Sequence, residues 1–324
     1  MFEKIIVSTV SVFLVIGVGY VVRRIKIIDD DTETSLMRLV LNVLYPCFII
    51  SKVPGNENLQ SPFVVSTTIA IGASLIFTAY LVCWLVGRVL KTNPAGGLNT
   101  FVVAVGVQNY GFIPIPLIES LFPEAQASEI IGVLLVHSLG VEIALWTAGV
   151  VIISGSTTQA WKRLLNGPTI AIAIGLFLNF TGLYTIIPEF VNYPIKLLAP
   201  CAIPIGLILA GATMCGVLER EKWAFDWRVM STAAVLRFTV LPSLFLLVAF
   251  GLSFAPSLQS LHVLLVVQAA MPTAVTPIII AKHFGGHPRV AVQVCLTTSV
   301  LSFVLTPTLL TFALWLLGIS VGVD

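Results

Sequence analysis

Charge is what this sequence has least of: 17 Lys and Arg and 15 Asp and Glu among 324 residues, 10% in all, against about a quarter in soluble domains. That shortage excludes an ordinary soluble globular domain, and the lack of any basic domain speaks against a nucleic-acid partner. Cysteines are few, namely Cys47, Cys83, Cys201, Cys215 and Cys295. All lie in apolar stretches without CxxC spacing, which argues against metal or redox chemistry and leaves them as small packing residues. Neither HExxH nor GxxxxGK[ST] occurs, so metalloproteolysis and ATP-driven pumping lack their machinery. No enzymatic activity and no cofactor are expected.

What the chain has in abundance is apolar surface: 57% of its residues are hydrophobic and the mean hydropathy is +1.03. This composition predicts an all-α membrane protein. Ten apolar segments follow one another near 4–22, 36–53, 63–90, 99–121, 128–153, 167–188, 195–217, 228–254, 260–283 and 289–318, each long enough for a helix across about 30 Å of hydrocarbon. The first runs straight into "RRIKIIDDD" with no small-residue cleavage site, so it reads as a span that stays in the mature protein. Connections are short and leave no room for a soluble domain.

The few cations are unevenly placed. Arg23, Arg24, Lys26 and Arg38, then Arg88 and Lys91, Lys162 and Arg163, Arg220, Lys222 and Arg228, and Lys282 and Arg289 fall in alternate loops, while the opposite loops hold only Lys4, Lys52 and Lys196. By the positive-inside rule the rich loops are cytoplasmic and both termini are extracytoplasmic. The expected location is the cell membrane, inner or plasma.

The stretch "VQNYGFIPIP", residues 107–116, interrupts the fourth segment with Gln108, Asn109, Gly111 and two prolines. A shift of 161 residues brings it to "MPTAVTPIIIAKHFGG" in the ninth segment and lays Pro116 on Pro277. Each half then holds five spans, an odd number, so the second copy enters the membrane upside down. The expected fold is therefore ten transmembrane helices in two inverted five-helix repeats, 1–155 and 156–324, with the fourth and ninth broken and crossing near the midplane. Proline removes an amide donor, and in lipid a freed backbone group costs several kcal/mol unless protein or a water-lined cavity satisfies it. Two breaks in matching positions point half-helix N-termini, each carrying about +0.5 charge, at one place, which suits a carboxylate. The plainer reading is that Pro114 and Pro116 only kink a packed helix.

Several stretches, "GVGYVVRRIKIID", "LVLNVLYPCFI", "QNYGFIPIPL", "LLNGPTIAIAIGLFLN", "VLRFTVLP" and "MPTAVTPIIIAKHFGGHP", resemble the auxin efflux carrier family, which includes PIN-type carriers and bacterial permeases for small carboxylates. The resemblance runs over nearly the whole chain and implies a scaffold of helices 1, 2, 6 and 7 with a mobile transport domain of helices 3–5 and 8–10. It also suggests a homodimer through the scaffold. The long cytoplasmic loop of many plant members is missing, since "VIISGSTTQAWKRLLNGP" joins the halves directly.

Matching positions give the candidate substrate-binding residues Asn109 and Pro116 in the first break and Pro277 in the second, together with Gln108, Thr276 and Gln268. Asn109 can donate to a carboxylate without a buried charge, or it can merely cap the broken helix. Glu142 is an acid where PIN-type carriers have glutamine. It is expected either to serve as a coupling or polar site, taking up a proton or cation or binding a polar end of the substrate, or to be a structural partner for Arg237 or for a cytoplasmic loop. Arg237, about 13 Å into its span at 1.5 Å per residue, is expected to satisfy freed carbonyls of its own segment rather than to bind substrate. His137 is a candidate proton shuttle or a simply hydrogen-bonded histidine. The function these features imply is export of a small organic anion, an auxin-like indole carboxylate or a small mono- or dicarboxylate, by elevator-type alternating access. An anion channel and a sodium- or proton-coupled uptake symporter remain open at this point.

Overall fold

The computed structural model describes residues 2–90, 97–156, 164–220 and 226–322; Lys91, Lys162, Arg163 and Lys222 of the basic loops, with the side chain of Arg220, lie outside the described residues. The described chain is almost entirely helical. In order it forms α1 (Phe2–Arg24), α2 (Asp30–Lys52), α3 (Pro62–Val89), a short pair α4 (Leu98–Gly106) and α5 (Pro114–Leu121), then α6 (Glu124–Ser154), α7 (Gly167–Thr181), α8 (Glu189–Glu219) and α9 (Trp227–Leu252). A second short pair, α10 (Gln259–Ala269) and α11 (Thr276–His283), and α12 (Pro288–Leu316) complete it. Seven of these, α1, α2, α3, α6, α8, α9 and α12, are long and apolar enough to cross a membrane. Each apolar segment of the sequence is occupied by one of the seven, by α7, or by one short pair.

Three boundaries differ from expectation: α8 begins at Glu189 rather than near residue 195, and two more differ for local reasons. α2 begins at Asp30 rather than near residue 36, because Asp29 caps it by accepting the Thr32 amide at 2.8 Å and acids fill its first turn. α7 stops at Thr181 rather than near residue 188, because Gly182 adopts a φ of 71° and turns the chain into a 3-10 turn over Leu183–Ile186. Two π turns, Val40–Leu44 in α2 and Leu236–Val240 in α9, sit just before Pro46 and Pro242. The wider turn makes room for a proline ring that would otherwise press on the carbonyl four residues back.

The long helices pack closely where small residues allow it. A β-carbon on Gly19 would lie 2.0 Å from the Ile208 carbonyl oxygen, and one on Gly211 would lie 1.9 Å from that of Ile16, so α1 and α8 touch backbone to backbone. α6 is the most deeply buried of the long helices. Residues 100–106 of α4 and 260–269 of α10 are buried throughout, which puts the two broken segments at the centre of the bundle.

Contacts also sort the two ends of the bundle. At one end Lys4 donates to the Gly322 carbonyl, Asn58 to the Glu129 carboxylate, and Asn179 of α7 to the Asn56 carbonyl. At the other end Arg23 pairs with Asp30 and Glu33, and Arg24 with Glu219 at 2.7 Å.

Candidate functional site

The two breaks meet. α4 ends at Gly106 and α10 at Ala269, and the extended residues that follow run antiparallel: Asn109 N donates to Pro272 O at 2.7 Å, and Ala274 N to Val107 O at 2.9 Å. Gln108 and Thr273 form the only β-bridge among the described residues. Backbone groups that proline and the loss of helix would leave unsatisfied in an apolar interior thus satisfy each other. From the crossing α5 and α11 depart, beginning with Pro114 and with Thr276 and Pro277. Pro114, Pro116 and Pro277 all occupy the first turn of these half-helices, where an amide has no intrahelical partner to lose.

Asn109 is part-buried, and its side-chain oxygen lies within reach of the Gly111 amide at 3.4 Å and the Ile113 amide at 3.3 Å, which ties together the turn that leads into α5; the N-cap position itself is Ile113 and has no side-chain cap. Thr276 hydrogen-bonds Tyr110, tying the start of α11 to the first break. Gln108 and Gln268 are fully buried, one at each break, and neither side-chain amide has a hydrogen-bond partner. His137 is also fully buried with both ring nitrogens unpartnered; it packs where a β-carbon on Gly72 of α3 would meet its ring 3.3 Å away.

Arg237 is fully buried in the π turn of α9. Its Nε donates to Met271 O at 2.7 Å and its Nη2 approaches Gln268 O at 3.4 Å, so the carbonyls it satisfies belong to the end of α10 and not to its own segment. The alternative pairing with Glu142 is not what the structure has. Glu142 accepts instead from Asn166 Nδ2 at 3.1 Å, while the Asn166 oxygen caps α7 by accepting the Thr169 amide at 2.9 Å. The Glu142 carboxylate also acts electrostatically on the hydroxyls of Tyr45 and Tyr110.

Glu142, Tyr110 and Thr276 therefore share one neighbourhood with Tyr45 of α2 and Asn166 of α7. Tyr45, Tyr110 and Asn166 were not singled out from the sequence, although each lies in a quoted motif. Asn166 had a local signal, an asparagine followed by Gly-Pro before an apolar run, which marks a helix start. The other two had none.

Beside this neighbourhood lies a cavity of about 640 Å³, lined by Phe48 and Lys52 of α2, Pro116 and Glu119 of α5, and Lys196 and Pro204 of α8 among others. Tyr45 stacks on Phe48 with ring centroids 6.1 Å apart and meets Phe112 at a tilt, 5.7 Å away, and a β-carbon on Gly206 of α8 would meet the Phe112 ring at 2.2 Å. A second cavity, about 560 Å³, shares Lys52, Glu119 and Glu124 with the first and adds Lys4. Lys4, Lys52 and Lys196, the three cations of the poorly charged loops, thus all line these two adjoining cavities. Gln108, Gln268 and Arg237 line neither.

A bundle of long apolar helices around two broken ones that cross is the build of a multi-pass membrane transport protein. A family model described as Membrane transport protein matches residues 4–160 and again residues 156–310. The chain belongs to this family, the auxin efflux and PIN-like group whose motifs it carries. A relative from Methanothermobacter thermautotrophicus, described as an uncharacterized transporter, is 25% identical over 283 residues, 85% of this chain and 87% of that protein.

Proposed function

We propose that this protein is a secondary carrier that exports a small organic anion by elevator-type alternating access. The observation that carries the reading is the crossing itself: two helices broken at matching places, paired backbone to backbone, with the N-termini of α5 and α11 starting there. Half-helix N-termini bear partial positive charge and favour anionic groups.

The finer architecture belongs to the same reading. Ten spans form two inverted halves, 1–155 and 156–324, with α1, α2, α7 and α8 as scaffold and α3 to α6 and α9 to α12 as the moving part. Two matches of one family model, one to each half, support the repeat. Both termini then face out of the cell, and the cavities beside α5 open on the outer side, where Lys52 and Lys196 attract an anion. Tyr45 packs on Phe48, which lines the larger cavity, and on Phe112, which sits against Gly206 of α8. The substrate contacts are Asn109, Gln108, Pro116, Gln268, Thr276 and Pro277, with Tyr45, Tyr110 and Glu142 shaping the pocket at the boundary between scaffold and moving part. A homodimer through the scaffold helices completes the reading.

At about 100 mV, negative inside, a monoanion leaving the cell gains roughly 2.3 kcal/mol, sufficient to drive export without a second gradient. The test is a thermal-shift screen of small carboxylates against purified protein, followed by counterflow of the hit in proteoliposomes. Stabilisation by carboxylates and not by the matching amides or amines is expected; stabilisation by cations or neutral solutes alone would contradict an anionic substrate.

A further inference from the structure

We propose that Arg237 is a resident cation, standing where a coupling metal ion would sit at the end of α10, so that no sodium ion is taken up at the crossing. The proposal rests on the carrier reading of the crossing, but not on which anion is carried.

A half-helix that ends inside the bundle leaves its last carbonyls without intrahelical donors and concentrates about −0.5 charge there. In carriers with discontinuous helices such unwound carbonyls and half-helix C-terminal ends are where coupling cations bind. Here the carbonyls after α10 are already occupied by the protein. Met271 O accepts Arg237 Nε at 2.7 Å, and Gln268 O lies 3.4 Å from Arg237 Nη2. Ala270 O accepts Thr306 Oγ1 at 2.8 Å, and Pro272 O accepts Asn109 N at 2.7 Å. A metal ion would have to displace these donors one after another.

The charge account agrees. Arg237 is fully buried, and no ion pair joins it to a carboxylate among the described residues; the ion pairs there belong to Arg23, Arg24 and Lys196. Its counter-charge is therefore the carbonyl end of α10 itself. The planar guanidinium carries several donors at fixed angles, which lets one side chain serve two carbonyls three residues apart in sequence, something a lysine ammonium does less well. Among the described residues no hydrogen bond from a cation reaches the end of α4, which packs on an aromatic ring, a β-carbon on Gly106 lying 2.6 Å from Tyr80. Among the described residues one positive charge, Arg237, thus serves the crossing, and it is covalently fixed.

The experiment is the melting temperature of the purified full chain in NaCl, KCl and choline chloride at equal ionic strength, a readout that needs no substrate and no flux. For the wild type the three curves are expected to coincide. Arg237→Gln, which frees the carbonyls and removes the charge, is expected to melt lower and to gain a saturable stabilisation by sodium that potassium and choline do not give. A sodium-selective stabilisation of the wild type would overturn the proposal, and so would a folded Arg237→Gln protein indifferent to sodium. If Arg237→Gln fails to fold, Arg237→Lys keeps the charge and is expected to remain indifferent to sodium; sodium-selective stabilisation of that variant would again overturn it. Because no arm measures transport, failure here leaves the carrier reading standing, and failure of counterflow leaves this result standing.

Discussion

Gln108 and Thr273, in opposite halves of the chain, pair as an isolated antiparallel bridge in an otherwise helical protein. The flanking bonds from Asn109 to Pro272 and from Ala274 to Val107 make the two breaks one structure. Neither break is stable in an apolar interior alone, because each supplies the donors and acceptors that the other lacks.

Asn109 sits at the start of α5 with its oxygen facing two amides. Asn109→Ala should lower stability by about 1 kcal/mol, the usual effect of losing a hydrogen bond that holds a turn, and Asn109→Asp, which keeps the oxygen, should recover most of it. Thermal denaturation of the three proteins checks this. An alanine variant as stable as wild type would remove the turn-holding role and leave substrate contact as the reason for the asparagine.

Glu142 is held by Asn166 and not by Arg237. Glu142→Gln keeps an oxygen for that bond, so stability should change by less than about 1 kcal/mol, where a broken buried ion pair would lose about 3 to 5. If the carboxyl exchanges a proton during the cycle, flux should lose its pH dependence while affinity stays within a few fold. A drop of several kcal/mol in the variant would contradict the hydrogen-bond assignment.

Gly206 gives the Phe112 ring its place against α8. Gly206→Ala should cost about 1 to 3 kcal/mol through overpacking, and Phe112→Ala in the same protein should relieve most of that penalty, because the clash is with this ring alone among the nearest contacts. Additive losses in the double variant would show that the two residues do not touch.

Sidedness is tested with single cysteines at Ser156 and Glu57, both exposed, in a background with Cys47 and Cys201 replaced. Asn56 is a poorer probe than its loop position suggests, since it is buried and hydrogen-bonded to Glu129. An impermeant thiol reagent should reach position 156 only from the cytoplasm and position 57 only from outside. Labelling of both from one side would sink the inverted arrangement.

The breaks were legible because proline, glycine and asparagine act locally: "VQNYGFIPIP" states in ten residues that no helix continues through it. Helix length was legible only where a hydropathy run coincides with its caps. Asp29 starts α2 in polar sequence that a search for apolar runs passes over, and Gly182 ends α7 inside a run that stays apolar through Ile187. Partners across the fold were not legible. Glu142 and Arg237 are the two ionisable groups that mid-span charge makes suspicious, and the sequence offers Glu142 either Arg237 or a cytoplasmic loop as partner and Arg237 the carbonyls of its own segment. The chain instead gave Glu142 an asparagine amide and Arg237 the carbonyls at the end of α10. Tyr45 reached the site from the second helix, and although it lies in the motif "LVLNVLYPCFI" nothing in that motif marks the tyrosine as the residue that faces the break.

The most direct measurement of the central claim is flux in proteoliposomes loaded with a carboxylate that stabilises the purified protein, under an imposed potential, beside bilayer recordings of the same preparation. The carrier account predicts slow, saturable efflux that accelerates when the potential is negative on the loaded side, counterflow against unlabelled substrate, and no unitary currents. Unitary currents, with flux that rises linearly with concentration and shows no counterflow, would contradict it.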